Sequence, residues 1–335
     1  MAAVPELITA CPRNCYSTCS MRVEVEEGRL RRVLPLEANL ATPEGTCLKG
    51  LSYVERAHSP DRILHPLRRD GEGTFRRISW DEALSRITDQ LRRVRQEHGP
   101  QSVLFYNGSG TKGLLNSVGP AFFRLFGGYT TTYGDLCWPA GLEATRLTLG
   151  ENKHNAPWDL VNAKLIVMWG KNAAETNLHQ MPFVERALQE GARLIVIDPR
   201  RTETAERAEL LLQPRPGTDG ALALAVAHIL FRQGLVDRDF LEGHVIGHQR
   251  FARRVEECTP EWAEAITEVP VRFIDKLAAA IGTIKPATIS TGFGMQRYTN
   301  SGQTMRAILA LLALTGNLGK PGAGWQFANL ETAVF

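Results

Sequence analysis

The sequence contains no long apolar run. Its longest, residues 221–231, is interrupted by His228. A membrane-spanning helix needs about 20 apolar residues, so no span is expected. The start, Met1-Ala2-Ala3-Val4-Pro5, has no basic segment followed by an apolar one and no twin arginine, which excludes the common export signals. A cytoplasmic location is therefore expected, and a reducing compartment disfavours disulfides. Charge of one sign is also scarce, since 39 Lys and Arg face 36 Asp and Glu for a net charge of +3. The arginine-rich stretches at residues 29–32 and 92–95 have no interleaved aromatic residues. They read as solvated faces and not as a nucleic-acid surface. No internal repeat and no low-complexity segment is present. What remains is ordinary for a globular protein: 335 residues, 43% hydrophobic and 22% charged, enough for two or three domains.

The order of elements predicts an α/β fold. Met21, Val23 and Val25 alternate with polar residues, Glu27-Gly28 turns the chain, and residues 30–34 return as a second strand. This is the signature of an antiparallel hairpin in a small unit spanning 1–58. A helix follows, with Ser79 and Glu82 forming a capping box, an apolar stripe of Leu84, Ile87, Leu91 and Val94, and Gly99 as its stop. Residues 102–106 read as a strand. From residue 160 onward, short apolar runs at 164–169, 193–198, 210–213 and 287–291 alternate with helical segments. Buried strands alternating with helices predict a Rossmann-like, doubly wound domain. The expected organisation is 1–58, then 59–135 together with 300–335 as a discontinuous α/β domain, then 136–299.

Four of the six cysteines fall within the first 47 residues, as Cys11, Cys15, Cys19 and Cys47. Structural zinc sites usually pair cysteines as C-x2-C or C-x4-C twice over. Here three evenly spaced thiols come first and one follows late. That arrangement suits a [4Fe-4S] cubane, whose four corners take thiolates from different directions. Zinc stays open as an alternative. An inert helical stripe of cysteines is disfavoured by Pro12 and by the hairpin directly afterwards. Cys258, in a charged helical stretch, reads as structural, and Cys137 in a Gly- and Pro-flanked loop reads on its own as a buried small hydrophobe or as a ligand.

A cluster at one end of a chain relays electrons, so the substrate must be held elsewhere. In open α/β sheets ligands sit beyond the carboxyl ends of the strands. There the sequence places Gly170-Lys171-Asn172, then Asp198-Pro199-Arg200, then Gly217-Thr218-Asp219. Acidic groups can hold ribose or guanine edges, and helix N-termini can hold phosphates. Three such motifs in successive crossovers favour a nucleotide-bearing ligand. The absence of G-x-G-x-x-G disfavours simple NAD binding.

Taken in order, these motifs resemble the molybdenum or tungsten bis-pterin guanine dinucleotide oxidoreductases, the group of dimethyl sulfoxide reductases and formate dehydrogenases. Cys47-Leu48-Lys49-Gly50 is similar to the family's C-x-K-G. Residues 78–84, Ile197-Asp198-Pro199-Arg200, Gly217-Thr218-Asp219, Gly292-Phe293-Gly294 and residues 314–322 follow at matching places. The resemblance implies that Cys11, Cys15, Cys19 and Cys47 hold a [4Fe-4S] cluster. It puts Lys49 between cluster and pterin, and makes Cys137 the Mo or W ligand. Gly108, Ser109 and Gly110 would pass close to a pterin. Gly170, Asn172, Asp198, Arg200, Gly217, Asp219, Gly292 and Gly294 would bind bis-MGD, and Arg306 aligns with an arginine near the metal.

Two departures qualify the resemblance. Formate dehydrogenases place His directly after the metal ligand, whereas this chain has Trp138. That lowers formate as substrate and raises sulfur-compound reductases and other dehydrogenases. The family's C-terminal barrel domain has no counterpart in the sequence. A truncated coding region, or one half of a split subunit completed by a separate chain, is the expectation. The implied activity is a two-electron oxidation or reduction of a small-molecule substrate, with an Fe–S subunit as electron partner. A non-redox hydratase and an electron-transfer scaffold with an incomplete site are the alternatives.

Overall fold

The computed structural model of the protein describes residues 6–13, 15, 17–71, 73–108, 117–134 and 137–328. Packing divides the chain into two units. The first comprises residues 1–14, 20–36 and 46–135, and the second residues 15–19, 37–45 and 136–335.

In the first unit, β1 (Glu6–Ala10), β2 (Ser20–Glu26) and β3 (Arg29–Pro35) form an antiparallel sheet in that order. Glu27 and Gly28 both have positive φ, 49° and 74°, the geometry of a type I′ turn that matches strand twist. The register slips by one residue between Glu24 and Val25, a bulge that leaves Val25 opposite Leu30. Met21, Val23 and Val33 pack inward against Leu51, Tyr53 and Val54. The sequence shows the hairpin but not β1. Leu7 and Ile8 are 53% and 75% exposed, so that strand has no buried alternation to read. A second hairpin joins β4 (Leu67–Arg69) and β5 (Phe75–Arg77). The helix Trp80–His98 starts where Ser79 Oγ accepts the Glu82 N–H at 3.0 Å and stops at Gly99. Residues 102–106, expected as a strand, make a single bridge, Leu104 to Thr130. One bridge pairs too few backbone groups to make a ladder.

The second unit is built on five parallel strands: β6 (Leu165–Trp169), β7 (Arg193–Ile197), β8 (Leu210–Leu212), β9 (Ala287–Thr291) and β10 (Gly324–Gln326). Their order is β10-β9-β6-β7-β8. The chain winds outward from β6 to β8, then crosses to the other side of β6 for β9 and β10. The doubly wound architecture is the one the strand-helix alternation predicts, and its switch point lies between β6 and β9. Every residue of β6 is fully buried, because helices cover both faces. Leu165, Val167 and Trp169 share a core with Leu222, Leu277 and Ile308, which lie on the helices Asp219–Arg232, Val271–Thr283 and Ser301–Leu314. Ile166 and Met168 share the opposite core with Phe183 and Val184 of the helix Met181–Gln189. Burying one such side chain is worth about 1.5–3 kcal/mol, so the strand ends are held firmly in place. Residues 301–328, which include β10, pack within this unit.

Candidate functional site

A cavity of about 380 Å³ opens at the carboxyl ends of β6, β7 and β9. The segment after β6 contributes Gly170, Lys171 and Asn172; that after β7 contributes Asp198 and Arg200; that after β9 contributes Gly292, Phe293 and Gly294. These segments flank the switch point, where open α/β sheets leave a crevice because adjacent loops diverge. Six residues singled out from the sequence, Gly170, Asn172, Asp198, Arg200, Gly292 and Gly294, are thus brought to one wall. Two of the glycines have a steric reason. Gly170 adopts φ +58°, and a Cβ on Gly292 would lie 1.8 Å from the Gly170 carbonyl oxygen. The loops after β6 and β9 can touch only without side chains there.

Polar groups around the cavity are held by local bonds. Asn172 Oδ1 accepts the Thr204 hydroxyl at 2.8 Å, and Thr204 Oγ1 in turn accepts the Ala174 N–H at 3.0 Å. The Asn172 side-chain nitrogen is buried and has no hydrogen-bond partner among the described residues. A buried unsatisfied donor costs roughly 1–3 kcal/mol, which a ligand acceptor would relieve. Asp198 Oδ1 accepts the Arg200 N–H at 2.9 Å. The Arg200 guanidinium lies 3.6 Å from Glu175. Lys171 is buried, and loss of solvent lowers its pKa from 10.5 to about 8.

Gly217 and Asp219 do not line this cavity. Gly217 turns at φ +84° against Tyr298. Asp219 is buried, and its Oδ1 accepts the Trp169 indole N–H at 2.8 Å. Burial raises the Asp219 pKa, the Trp169 bond opposes the rise, and the Asp198 charge adds to it.

Cys137 is partly buried, directly before the helix Pro139–Leu149. Gln296, itself buried, clamps the loop. Its side-chain nitrogen donates to the Cys137 carbonyl, and its Oε1 accepts the Gly141 N–H at 2.6 Å. The next residue, Trp138, packs against Phe293 of the cavity with ring centroids 6.0 Å apart. Arg306 lies at the other end of that helix, where its Nε donates to Thr148 Oγ1 at 3.3 Å. About 14 Å of helical rise separates Pro139 from Thr148.

Among the described residues, the N-terminal cysteines form no disulfide. In the first unit, Cys47 is the N-cap of the short helix Leu48–Leu51, and Lys49 is exposed. A Cβ on Gly50 would lie 2.2 Å from Thr46 Cγ2 and in ordinary contact, 3.4 Å, with Cys11 Sγ, so it is the packing of Thr46 on this helix that calls for glycine. In the second unit, Cys19 is buried with its Sγ 3.2 Å from His179 Nε2. Burial lowers the His179 pKa, with the Glu44 charge opposing. Among the described residues, no group of three or more His, Cys, Asp or Glu side chains is arranged to hold a metal ion. Gly108 is exposed; Ser109 and Gly110 lie outside the described residues. Cys258 is buried, and burial raises its thiol pKa.

Lys171, His179, Thr204 and Gln296 were given no role from the sequence. A lysine two positions beyond the end of a five-residue apolar strand is a readable signal for the first. The other three act through partners far away in the chain, which spacing does not show.

Comparison with known proteins agrees with this architecture. The family model "Molybdopterin oxidoreductase" matches residues 62–334, and "Molybdopterin oxidoreductase Fe4S4 domain" matches residues 6–59. The chain is 33% identical to "Probable oxidoreductase YyaE" of Bacillus subtilis (strain 168), over 96% of this chain and 48% of that protein. It is 37% identical to "Probable dimethyl sulfoxide reductase chain YnfF" of Escherichia coli (strain K12), over 94% of this chain and 43% of that one. Among solved structures, acetylene hydratase from Pelobacter acetylenicus superposes with a TM-score of 0.72 at 26% identity, covering 93% of this chain and 44% of that chain. The chain thus spans about half the length of the curated relatives it matches. With both models matched in order along nearly all of its residues, the chain belongs to the molybdopterin oxidoreductase family.

Proposed function

We propose that the chain is the cluster- and dinucleotide-binding part of a Mo- or W-bis-MGD oxidoreductase subunit acting on a small sulfur-containing or related substrate. The family's Fe4S4 and molybdopterin domains imply a [4Fe-4S] cluster and a molybdopterin cofactor. The donor set fits both: among the described residues the six cysteines form no disulfide, and thiols, four of them N-terminal, are soft ligands suited to iron–sulfur and sulfur-rich metal sites. The observation that carries the reading is the cavity at the switch point, with its touching glycines, its unsatisfied Asn172 amide and its charged rim.

When bound, the metal-pterin group supplies two-electron chemistry at the substrate, and the protein orients and insulates it. Cys11, Cys15, Cys19 and Cys47 would ligate the cluster. Cys137 would ligate the Mo or W, its backbone fixed by Gln296. Asn172 would donate to the dinucleotide, Asp198 would accept from its ribose or guanine edge, and Arg200 and Lys171 would oppose its phosphates. Lys49 would present a cation between cluster and pterin. An Fe–S subunit would exchange the electrons.

Trp138 supports a sulfur-compound reductase or other dehydrogenase over a formate dehydrogenase. Its ring is buried on Phe293, and an indole N–H donates without accepting, so it cannot relay a proton as His would. The likeness to a hydratase supports one other reading, in which the metal polarises water without redox change. Reversible electron uptake in the presence of substrate separates the two.

Analysis of metals and of acid-released nucleotide in the purified protein tests the proposal. About four irons per chain with Mo or W and guanine nucleotide is the expected result. Zinc alone, with no absorbance near 400 nm, would overturn it. Iron without Mo or W would favour an electron-transfer scaffold.

A further inference from the structure

His179 reaches across the sequence to a cysteine. Its Nε2 lies 3.2 Å from Cys19 Sγ, 160 residues away, and both side chains are buried. Beside this contact, Ser17 Oγ donates to Asn177 Oδ1 at 3.3 Å. The 3-10 turn Leu178–Gln180 and its N-cap Asn177 therefore meet Cys19 and Ser17, one contact each. The turn is anchored in its turn. Gln180 Nε2 donates to Gln326 Oε1 of β10 at 3.1 Å and to Ser290 of β9 at 3.4 Å. The rigid parallel sheet thus sets where the imidazole stands. The same crossover begins at Asn172 on the cavity, seven residues before His179.

A ligating cysteine is a thiolate and carries no hydrogen. Opposite such a sulfur, Nε2 must carry the hydrogen for the contact to be a bond, which selects one tautomer of the ring. We propose that His179 donates an N–H···S hydrogen bond to Cys19 and thereby raises the reduction potential of the [4Fe-4S] cluster, acting as a positioning residue that touches the cluster only through its ligand. The inference rests on Cys19 being a cluster ligand. The physical reason lies in where the added charge goes. One-electron reduction places more negative charge on the cluster and its sulfurs. A donor fixed against a ligand sulfur therefore bonds the reduced state more strongly than the oxidised state. Because the donor is buried, water cannot replace it when it is removed.

The test is a potentiometric titration of the full-length, cluster-loaded protein with dithionite, followed by electron paramagnetic resonance and by iron analysis. His179→Leu is expected to keep its iron and to lower the midpoint by about 59 mV, a tenfold shift of the one-electron equilibrium. His179→Gln retains an N–H and is expected to fall between Leu and wild type. A merely structural histidine would leave the midpoint in place, and an unchanged midpoint in iron-replete His179→Leu overturns the proposal. Should the Leu variant lose its cluster, the wild-type protein labelled with ¹⁵N-histidine decides. Electron spin echo modulation of the reduced cluster is expected to show a coupled imidazole nitrogen, and its absence overturns the proposal. Cys19→Ser separates the two layers. If that variant keeps wild-type iron and spectrum, Cys19 is not a ligand and the underlying reading fails. If it changes the spectrum while His179→Leu moves nothing, only the role of His179 fails.

Discussion

Lys171→Met tests the buried cation at the end of β6. The side chain is nearly inaccessible, and burial lowers its pKa from 10.5 to about 8. The folded state therefore holds this proton less tightly than the unfolded state does. Below pH 8 both states are protonated, and folding bears the full cost of burying the charge. Between pH 8 and 10.5 only the unfolded state is protonated, so stability rises with pH by about 1.4 kcal/mol per unit. Above 10.5 both states are neutral and the cost has gone. The shift corresponds to roughly 3 kcal/mol. Methionine fills nearly the same volume and carries no charge, so its stability lacks this contribution to the pH dependence. Urea unfolding of cofactor-free wild type and Lys171→Met, measured from pH 7 to 10.5, gives the difference between them. That subtraction cancels the titration of tyrosines and thiols common to both. The variant is expected to be more stable at pH 7, with the advantage shrinking by about 3 kcal/mol by pH 10.5. A difference that stays constant across the range would refute the reasoning, because Lys171 would then titrate as a solvated lysine.

Other substitutions probe the surrounding geometry. Gly292→Ala places a methyl group 1.8 Å from the Gly170 carbonyl; it is expected to cost at least about 1–3 kcal/mol in urea unfolding and to lower bound guanine nucleotide. Thr204→Val removes the hydroxyl that holds Asn172, with an expected loss of about 1–3 kcal/mol and reduced nucleotide content by acid release. Asp219 has a raised pKa, so its contribution to stability is full below 3.8 and is lost as pH rises through its folded value. Asp219→Asn, which still accepts from Trp169, is expected to gain on wild type between pH 4 and 7 in the same assay; a constant difference would refute the assignment. Changing Cys11, Cys15, Cys19 and Cys47 together to Ser is expected to abolish absorbance near 400 nm and the bound iron.

Much of the fold is legible because local physics writes it into the chain. The hairpin turn at Glu27-Gly28, the cap at Ser79 and the apolar strands of the second unit each follow from one short stretch of residues. What stays hidden is equally instructive. β1 exposes Leu7 and Ile8, so it shows no alternation. β10 is three residues long and is fixed by tertiary contacts, its pairing with β9 and the Gln180 bond to Gln326. Residues 102–106 have strand composition but just one bridging partner. At the site, the glycines and Asn172 are visible as motifs. Thr204, which orients Asn172, is visible only once β7 and its loop are placed beside β6.

By itself the sequence determined the chemistry available to this protein: four early thiols, a lone Cys137, and three polar turns after buried strands. These are matters of residue type and spacing, which chain order records directly. The tertiary structure decided which of these groups meet. It joined the segments after β6, β7 and β9 into one cavity, withdrew Asp219 beneath Trp169, and set His179 against Cys19. The cavity depends on a strand order that crosses back over β6, so that Gly170 and Gly292, more than a hundred positions apart, become neighbours. No local pattern encodes that proximity, because it is the burial of both sheet faces that enforces it.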